Sequence, residues 1–322
     1  MKSKTITEKL VSLIRDTSSS LPPDVIRALK AALRKEEKNS SAAVVLKTIL
    51  ENCAIAAKRG TPLCQDTGTL TFFVDERLRR KVTPAVIGKA VAIATEKGYL
   101  RKNTIDAITG KSYDDNCAEG APVVHYVGSD SVALGSDSVA SGSDGVASGS
   151  IESGSSKSKD ALGPKVTLIL KGGGSENMSR QYSLPDAALG AGRDLEGVRK
   201  CILDAVQKIQ GYGCAPGILG VSIGGDRATG YEVAKEQLLR PLDENRLQSK
   251  AVDVRRNERT LATLEKRLLR EANSLGIGPM GLGGKTTLLG VKIAARPRVP
   301  ASFFVTVAYM CWACRRRTVE IR

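Results

Sequence analysis

The spacing of apolar residues first changes at Gly60-Thr61-Pro62, and that change limits the folds open to this chain. Before it, apolar side chains recur every three to four residues: Ile6, Leu10, Leu13 and Ile14, then Val25, Ile26 and Leu29, then Val44, Val45, Leu46, Ile49 and Leu50, with Pro22-Pro23 breaking the run. That period lines one face of a helix, so residues 1–59 are expected to form a helical lead-in. After it comes Leu70-Thr71-Phe72-Phe73-Val74, a short run of β-branched and aromatic residues of the kind that fits a pleated sheet.

The helical period returns at Pro84–Lys97, Leu195–Ile209, Tyr231–Leu239 and Leu261–Leu275, while Pro122–Tyr126, Lys165–Leu170, Ile218–Ile223, Thr286–Ile293 and Ser302–Tyr309 read as strands. Helices and strands mix without a regular strand–helix–strand rhythm, which favours an α+β (mixed α/β) fold over a doubly wound sheet. Residues 60–322 are expected to form one mixed-sheet domain. Inside it, Gly128-Ser129-Asp130-Ser131-Val132-Ala133-Leu134 recurs with small changes from Gly135 and from Gly142, then decays into Ser, Gly and Lys. Such a composition buries too little apolar surface to offset ordering entropy, so residues 128–163 are expected to be a disordered low-complexity insertion in a hairpin of the two flanking strands.

A formal charge of +15 raises the question of nucleic acid, but aromatic residues are only 4% and no basic run is interleaved with rings that stack on bases. Much of the excess lies in Arg255 to Arg270 and in the tail Arg315-Arg316-Arg317, both expected to be solvated faces. A positive field equally concentrates a dianionic substrate. No stretch approaches the roughly 18 to 20 apolar residues of a spanning helix, so no membrane partner is expected. The start, Met1-Lys2-Ser3-Lys4-Thr5, lacks an apolar leader core, which makes a cytoplasmic chain the default; Glu8 and Asp16 weaken a mitochondrial-import reading without closing it. Seven cysteines in such a chain point to thiol or metal chemistry rather than a disulfide framework.

Two motifs mislead. Gly276-Ile277-Gly278-Pro279-Met280-Gly281 spells the dinucleotide pattern and Gly284-Lys285-Thr286 the end of a phosphate loop, yet this segment leaves a helix and enters a strand, the reverse of what either requires. Cys311-Trp312-Ala313-Cys314 has dithiol spacing but follows a strand instead of opening a helix. His125 is the one histidine, within a strand-like run, so Ser-His-Asp and Cys-His catalysis and His-rich zinc sites lack their parts. Any metal must be held by sulfur or carboxylate.

Cys53 and Cys201 fall on apolar helix faces and read as small core residues, whereas Cys64, Cys214 and Cys311 lie in distinctive loops. Three thiolates on a [4Fe–4S] cluster leave one iron without a protein ligand, free to act as a Lewis acid toward hydroxyl and carboxylate oxygens. The loops Pro62-Leu63-Cys64-Gln65-Asp66-Thr67-Gly68-Thr69, Lys171-Gly172-Gly173-Gly174-Ser175-Glu176-Asn177, Gly276 to Gly284 and Cys311-Trp312-Ala313 together resemble the iron–sulfur (class I) fumarate hydratase and L(+)-tartrate dehydratase α-subunit family. The likeness runs from about residue 40 to residue 316, outside the insertion.

The resemblance implies a [4Fe–4S] cluster on Cys64, Cys214 and Cys311, catalytic Gln65 and Asp66 beside the substrate, a carboxylate clamp at Arg101, and close backbone approach to the substrate at Gly173 and Gly174. It also implies a hydro-lyase acting on a small dicarboxylate, fumarate to malate, with L(+)-tartrate dehydration or a non-catalytic iron–sulfur or assembly role as alternatives. A β-type hydro-lyase subunit is the expected partner, giving a hetero-oligomer. Two departures stand out: Arg298 occupies the segment where relatives carry histidine, and the second ligand is followed by Ala215-Pro216 in place of Pro-Pro.

Overall fold

The computed structural model describes residues 5–128, 163–244 and 252–321. The lead-in forms α1 (Ile6–Ser19), α2 (Pro23–Lys35) and α3 (Ser41–Arg59). Their ends are written in the sequence: Thr5 and Glu8 make a reciprocal capping box at the start of α1, Pro23 occupies the first turn of α2, and Gly60 closes α3 at φ 65°, a left-handed conformation that glycine adopts without strain.

The remainder comprises β1 (Thr69–Asp75), α4 (Pro84–Glu96), β2 (Val123–Val127), β3 (Lys165–Lys171), a short α5 (Gly173–Asn177), β4 (Arg180–Ser183), α6 (Leu195–Ile209), β5 (Gly217–Gly224), α7 (Arg227–Gln237), α8 (Val252–Ser274), β6 (Leu288–Arg296), β7 (Phe304–Met310) and β8 (Arg315–Glu320). They build two four-stranded mixed sheets, ordered β2-β1-β3-β8 and β4-β7-β5-β6. The α+β expectation holds.

The two sheets follow one plan. In the first, β1 runs through α4 to a parallel neighbour, β2, and then β3 pairs antiparallel on the other side of β1. In the second, β5 runs through α7 and α8 to a parallel neighbour, β6, and β7 pairs antiparallel on the other side of β5. Each unit then sends its last strand across to the other sheet: β4 joins β7, and β8 joins β3. The chain therefore crosses between the sheets twice, after Lys171 and after Met310.

Three apolar clusters hold this together. One face of the first sheet packs on α1 and α4 through Phe72, Leu168 and Leu170, and one face of the second packs on α6 and α8 through Leu219, Val221 and Val305. Between the sheets, Phe73 and Ile169 meet Ile218, Ala308 and Met310, with α2, α3 and α7 around them. Each such side chain taken fully out of water contributes roughly 1.5–3 kcal/mol.

Two expectations fail here. The strands flanking the repeat do not form a hairpin: β2 and β3 lie on opposite sides of β1, in the parallel and antiparallel sense respectively. Short apolar runs carry no information about which neighbour they choose. The repeat itself lies outside the described residues. Nor is Arg315-Arg316-Arg317 a solvated tail. It opens β8, where Arg315 is 1% exposed and Arg316 9%. Arg316 bonds both oxygens of Asp24, at 2.6 and 3.3 Å, and the carbonyls of Leu238 and Arg240, so the charge read as surface in fact clamps α2 onto β8. Strand β4 carried no readable signal, because Arg180-Gln181-Tyr182-Ser183 is short and polar.

Candidate active site

Cys64 sits in the loop before β1, Cys214 in the loop before β5, and Cys311 in the link from β7 to β8. The sheet registers put all three at the crossing ends: Thr69 of β1 faces Lys171 at the end of β3, and Ile218 of β5 faces Met310 at the end of β7. The loops are tied to each other by backbone bonds. Trp312 N–H donates to the Cys214 carbonyl at 3.3 Å, and Cys311 N–H to the Ser175 hydroxyl at 3.1 Å. Cys214 is exposed and held at φ 54°, in the left-handed region; Cys64 and Cys311 are half-buried.

Burial raises the Cys214 thiol above its ordinary pKa, and Cys311, Cys64 and Asp66 push it further in the same direction. Among the described residues, though, no three His, Cys, Asp or Glu side chains are gathered tightly enough to hold one metal ion. A lone zinc binds thiolates at about 2.3 Å and so brings their sulfurs to within about 4 Å of each other. By the chemistry of their donors, three loop thiols suit a soft metal such as zinc or an iron–sulfur group.

The polar half comes from the first unit. Asp66 is held at both ends, its carboxylate by the Asn103 amide at 3.2 Å and its carbonyl by the buried Arg315 guanidinium at 2.9 Å. Close packing of glycine lets the loop after β3 lie against it: a Cβ at Gly172 would stand 2.7 Å from Asp66 Oδ2, and one at Gly68 2.4 Å from the Lys171 carbonyl. Gly173 and Gly174 are exposed, with open space around Gly174. Gln65 and Arg101 are exposed as well, and the Arg101 guanidinium has no hydrogen bond or ion pair among the described residues; only its backbone is fixed, by Thr67 and Asn116.

Lys171 lies behind these groups. Its side chain is 4% exposed, and burial brings its ammonium down to about 8 against the opposing pull of Glu176, 2.9 Å away. Glu176 also bonds Lys235 at 2.7 Å, so the charge next to the crossing is paired and fixed.

Comparison with known proteins shows the family. The fumarate hydratase (Fumerase) family profile matches residues 7–145 and 153–320. A Geobacillus stearothermophilus protein provisionally named fumarate hydratase class I is 45% identical over 98% of this chain. The chain belongs to the fumarate hydratase family. It spans 54% of the length of that relative, about half. By contrast it covers 98% of a Methanocaldococcus jannaschii protein provisionally named L(+)-tartrate dehydratase subunit alpha, at 31% identity, and 90% of the Escherichia coli K12 L(+)-tartrate dehydratase subunit alpha, at 27%.

Within this family framework the remaining candidates find places. Cys53 and Cys201 are 5% and 0% exposed on helix faces, as expected of core residues. The Cys311–Cys314 pair is no dithiol: Cys314 is fully buried in the core between the sheets, and burial raises its thiol to about 11. His125 stacks on Phe73 with ring centroids 5.2 Å apart, on the edge strand β2. Arg298 bonds the carbonyls of Val299, Pro300 and Ser302 and lies over the Phe303 ring, so it shapes the β6–β7 turn.

Sequence reasoning missed three contributors. Asn116, 1% exposed at φ 60°, accepts the Asn103 and Thr104 N–H groups and donates to the Arg101 carbonyl, and thereby shapes the whole Arg101–Asn103 loop. It stands in an Asn/Asp-rich stretch that looks like any polar loop. Arg315 was hidden in a basic run. Gly172 was passed over for its neighbours, although Gly68 and Gly172 are the glycines the close approach requires.

Proposed function

We propose that this chain is the α-type, cluster-carrying part of a hydro-lyase that interconverts fumarate and malate, with a [4Fe–4S] cluster held by Cys64, Cys214 and Cys311. What supports the reading is that the loops of Cys64, Cys214 and Cys311 all lie at the crossing ends of the sheets, where Trp312 N–H bonds the Cys214 carbonyl and the Arg315 guanidinium bonds the Asp66 carbonyl. When bound, a cluster with one iron free of protein ligands supplies a Lewis-acid position for the substrate hydroxyl.

The chain's own residues account for the rest. Loss of water from a 2-hydroxy dicarboxylate needs a proton taken from the adjacent carbon and charge stabilised on the carboxylate as hydroxide departs. The exposed Arg101 guanidinium, unpaired among the described residues, takes that carboxylate with two parallel hydrogen bonds. Asp66, fixed by Asn103 and Arg315, moves a proton or orients the hydroxyl without spending its own freedom. Gln65 adds an amide beside it, and Gly173 and Gly174 admit the substrate to the backbone.

Cys214 is exposed, which favours completion by a β-type subunit that would cover it, as the alpha-subunit names of two relatives suggest. L(+)-tartrate dehydration is the second reading. It is favoured by length, since the tartrate dehydratase α subunits match end to end, whereas identity favours fumarate. No helix among the described residues is long and apolar enough to cross a membrane, and a cytoplasmic location belongs to the same proposal.

Anaerobic purification and reconstitution test this: about four irons per chain are expected, with hydration of fumarate that rises by orders of magnitude when a β-type subunit is added. A chain that binds no iron would sink the reading. Turnover of L(+)-tartrate but not fumarate would transfer it to the second substrate.

A further inference from the structure

Tyr309, the penultimate residue of β7, is 1% exposed, and its hydroxyl has no hydrogen-bond partner among the described residues. Its ring lies under the Cys214 loop. A Cβ at Gly213 would stand 2.4 Å from ring carbon Cε1, and one at Gly217 2.4 Å from the hydroxyl oxygen, so glycines on both sides of Cys214-Ala215-Pro216 make room for this ring. The Tyr309 backbone N–H donates to the Ser179 hydroxyl at 3.3 Å.

A phenol taken out of water without a partner is unfavourable, and buried hydroxyls are nearly always paired. Phenylalanine would fill the same space at no such cost. The ring lies against the glycines that flank Cys214-Ala215-Pro216 and two residues before Cys311, so a group held by those two thiols is the acceptor nearest to hand. We infer that Tyr309 is a positioning residue whose O–H donates to sulfur of the group that Cys214 and Cys311 hold. The inference rests on the cluster reading above and extends it beyond the three ligands.

Hydrogen bonds to cluster sulfurs favour the more negative, reduced state and so set the potential. The test compares wild type with Tyr309→Phe, loaded anaerobically and titrated redox-potentiometrically with detection by electron paramagnetic resonance. The variant is expected to show a lower midpoint potential and to lose iron severalfold faster in air. Without iron it is expected to melt at or above the wild-type temperature, because the deletion removes a hydroxyl that then has no partner. Unchanged potential and iron loss in the loaded variant would overturn the inference, as would a clear fall in melting temperature of the iron-free variant, which would show the hydroxyl already bonded elsewhere.

If Tyr309→Phe cannot be loaded, 3-fluorotyrosine at 309 decides: its stronger donor is expected to raise the potential, and no change would refute the bond. Wild type that takes up no cluster would overturn the cluster reading and this inference together. Loaded wild type beside an indifferent Tyr309→Phe would overturn the inference alone.

Discussion

The two β-α-β-β units of this fold share strand order, strand sense and the exchange of a last strand, yet they equip the crossing differently. The first places Cys64, Gln65 and Asp66 before β1 and an exposed glycine loop after β3. The second places Cys214 before β5 and Cys311 after β7. Equivalent loops thus carry one thiol with acid, amide and open backbone in one unit, and two thiols in the other. A site assembled from both becomes asymmetric while its scaffold repeats, and neither unit alone holds three thiols.

Serine at the three loop thiols gives the largest expected effect. Cys64→Ser, Cys214→Ser and Cys311→Ser should each abolish stable cluster binding, because a hydroxyl replaces a thiolate ligand, while Cys53→Ser, Cys201→Ser and Cys314→Ser should keep the iron and report only on core packing. Iron and sulfide counts on anaerobic protein check this. A full complement in Cys214→Ser would mean the second unit contributes less than its geometry indicates.

The exchanged strands offer the next contrast. Strand β8 is locked by Arg316 and Asp24, whose side chains are both 8% exposed, whereas β4 is locked to β7 by the Gln181 amide on the Thr306 hydroxyl at 2.9 Å. Removing one partner of a buried ion pair costs about 3–5 kcal/mol, and removing one neutral hydrogen bond about 1 kcal/mol. Asp24→Asn should therefore destabilise far more than Gln181→Ala in denaturant unfolding.

The Asp24 effect also has a pH signature. Burial opposes its charge, but Arg316 and the Leu242 N–H together outweigh burial and hold its carboxyl below the ordinary value. A depressed folded pKa gives stability that is present above the unfolded value of about 3.9 and is lost as pH falls through the folded one. The gap between wild type and Asp24→Asn should be full near neutrality and shrink below about pH 4. A gap independent of pH would show that packing, not charge, holds β8.

Arg101→Ala should cost roughly 2–4 kcal/mol of transition-state stabilisation, comparable to loss of other groups that stabilise anions, read as kcat/KM of the complete enzyme. An unchanged value would take Arg101 out of the site. The smallest effect is expected at the repeat. Because β2 and β3 flank β1, their joined ends stand two strand spacings apart, about 10 Å. A linker of about six residues in place of 129–162 spans this easily and should leave melting temperature and iron content near wild type. A large loss with this linker would show that the repeat stabilises the first sheet.

Much of this was legible in the residues. Helix positions followed from apolar period and caps, as at Thr5, Pro23 and Gly60. The loop thiols separated from the core thiols because Cys53 and Cys201 share helix faces with Leu46, Ile49, Val198 and Ile202. These are local properties, decided within a few residues by backbone sterics and by which side of an element is apolar. What lies between distant segments was not legible. Pairing of β2 with β1 rather than β3, burial of Arg315 and Arg316, the grip of Asn116 on the Arg101 loop and the place of Tyr309 beneath Cys214 all depend on partners far away in the chain. An arginine in a basic run reads the same whether water or Asp24 receives it. Only the closed fold, which removes the water, decides which.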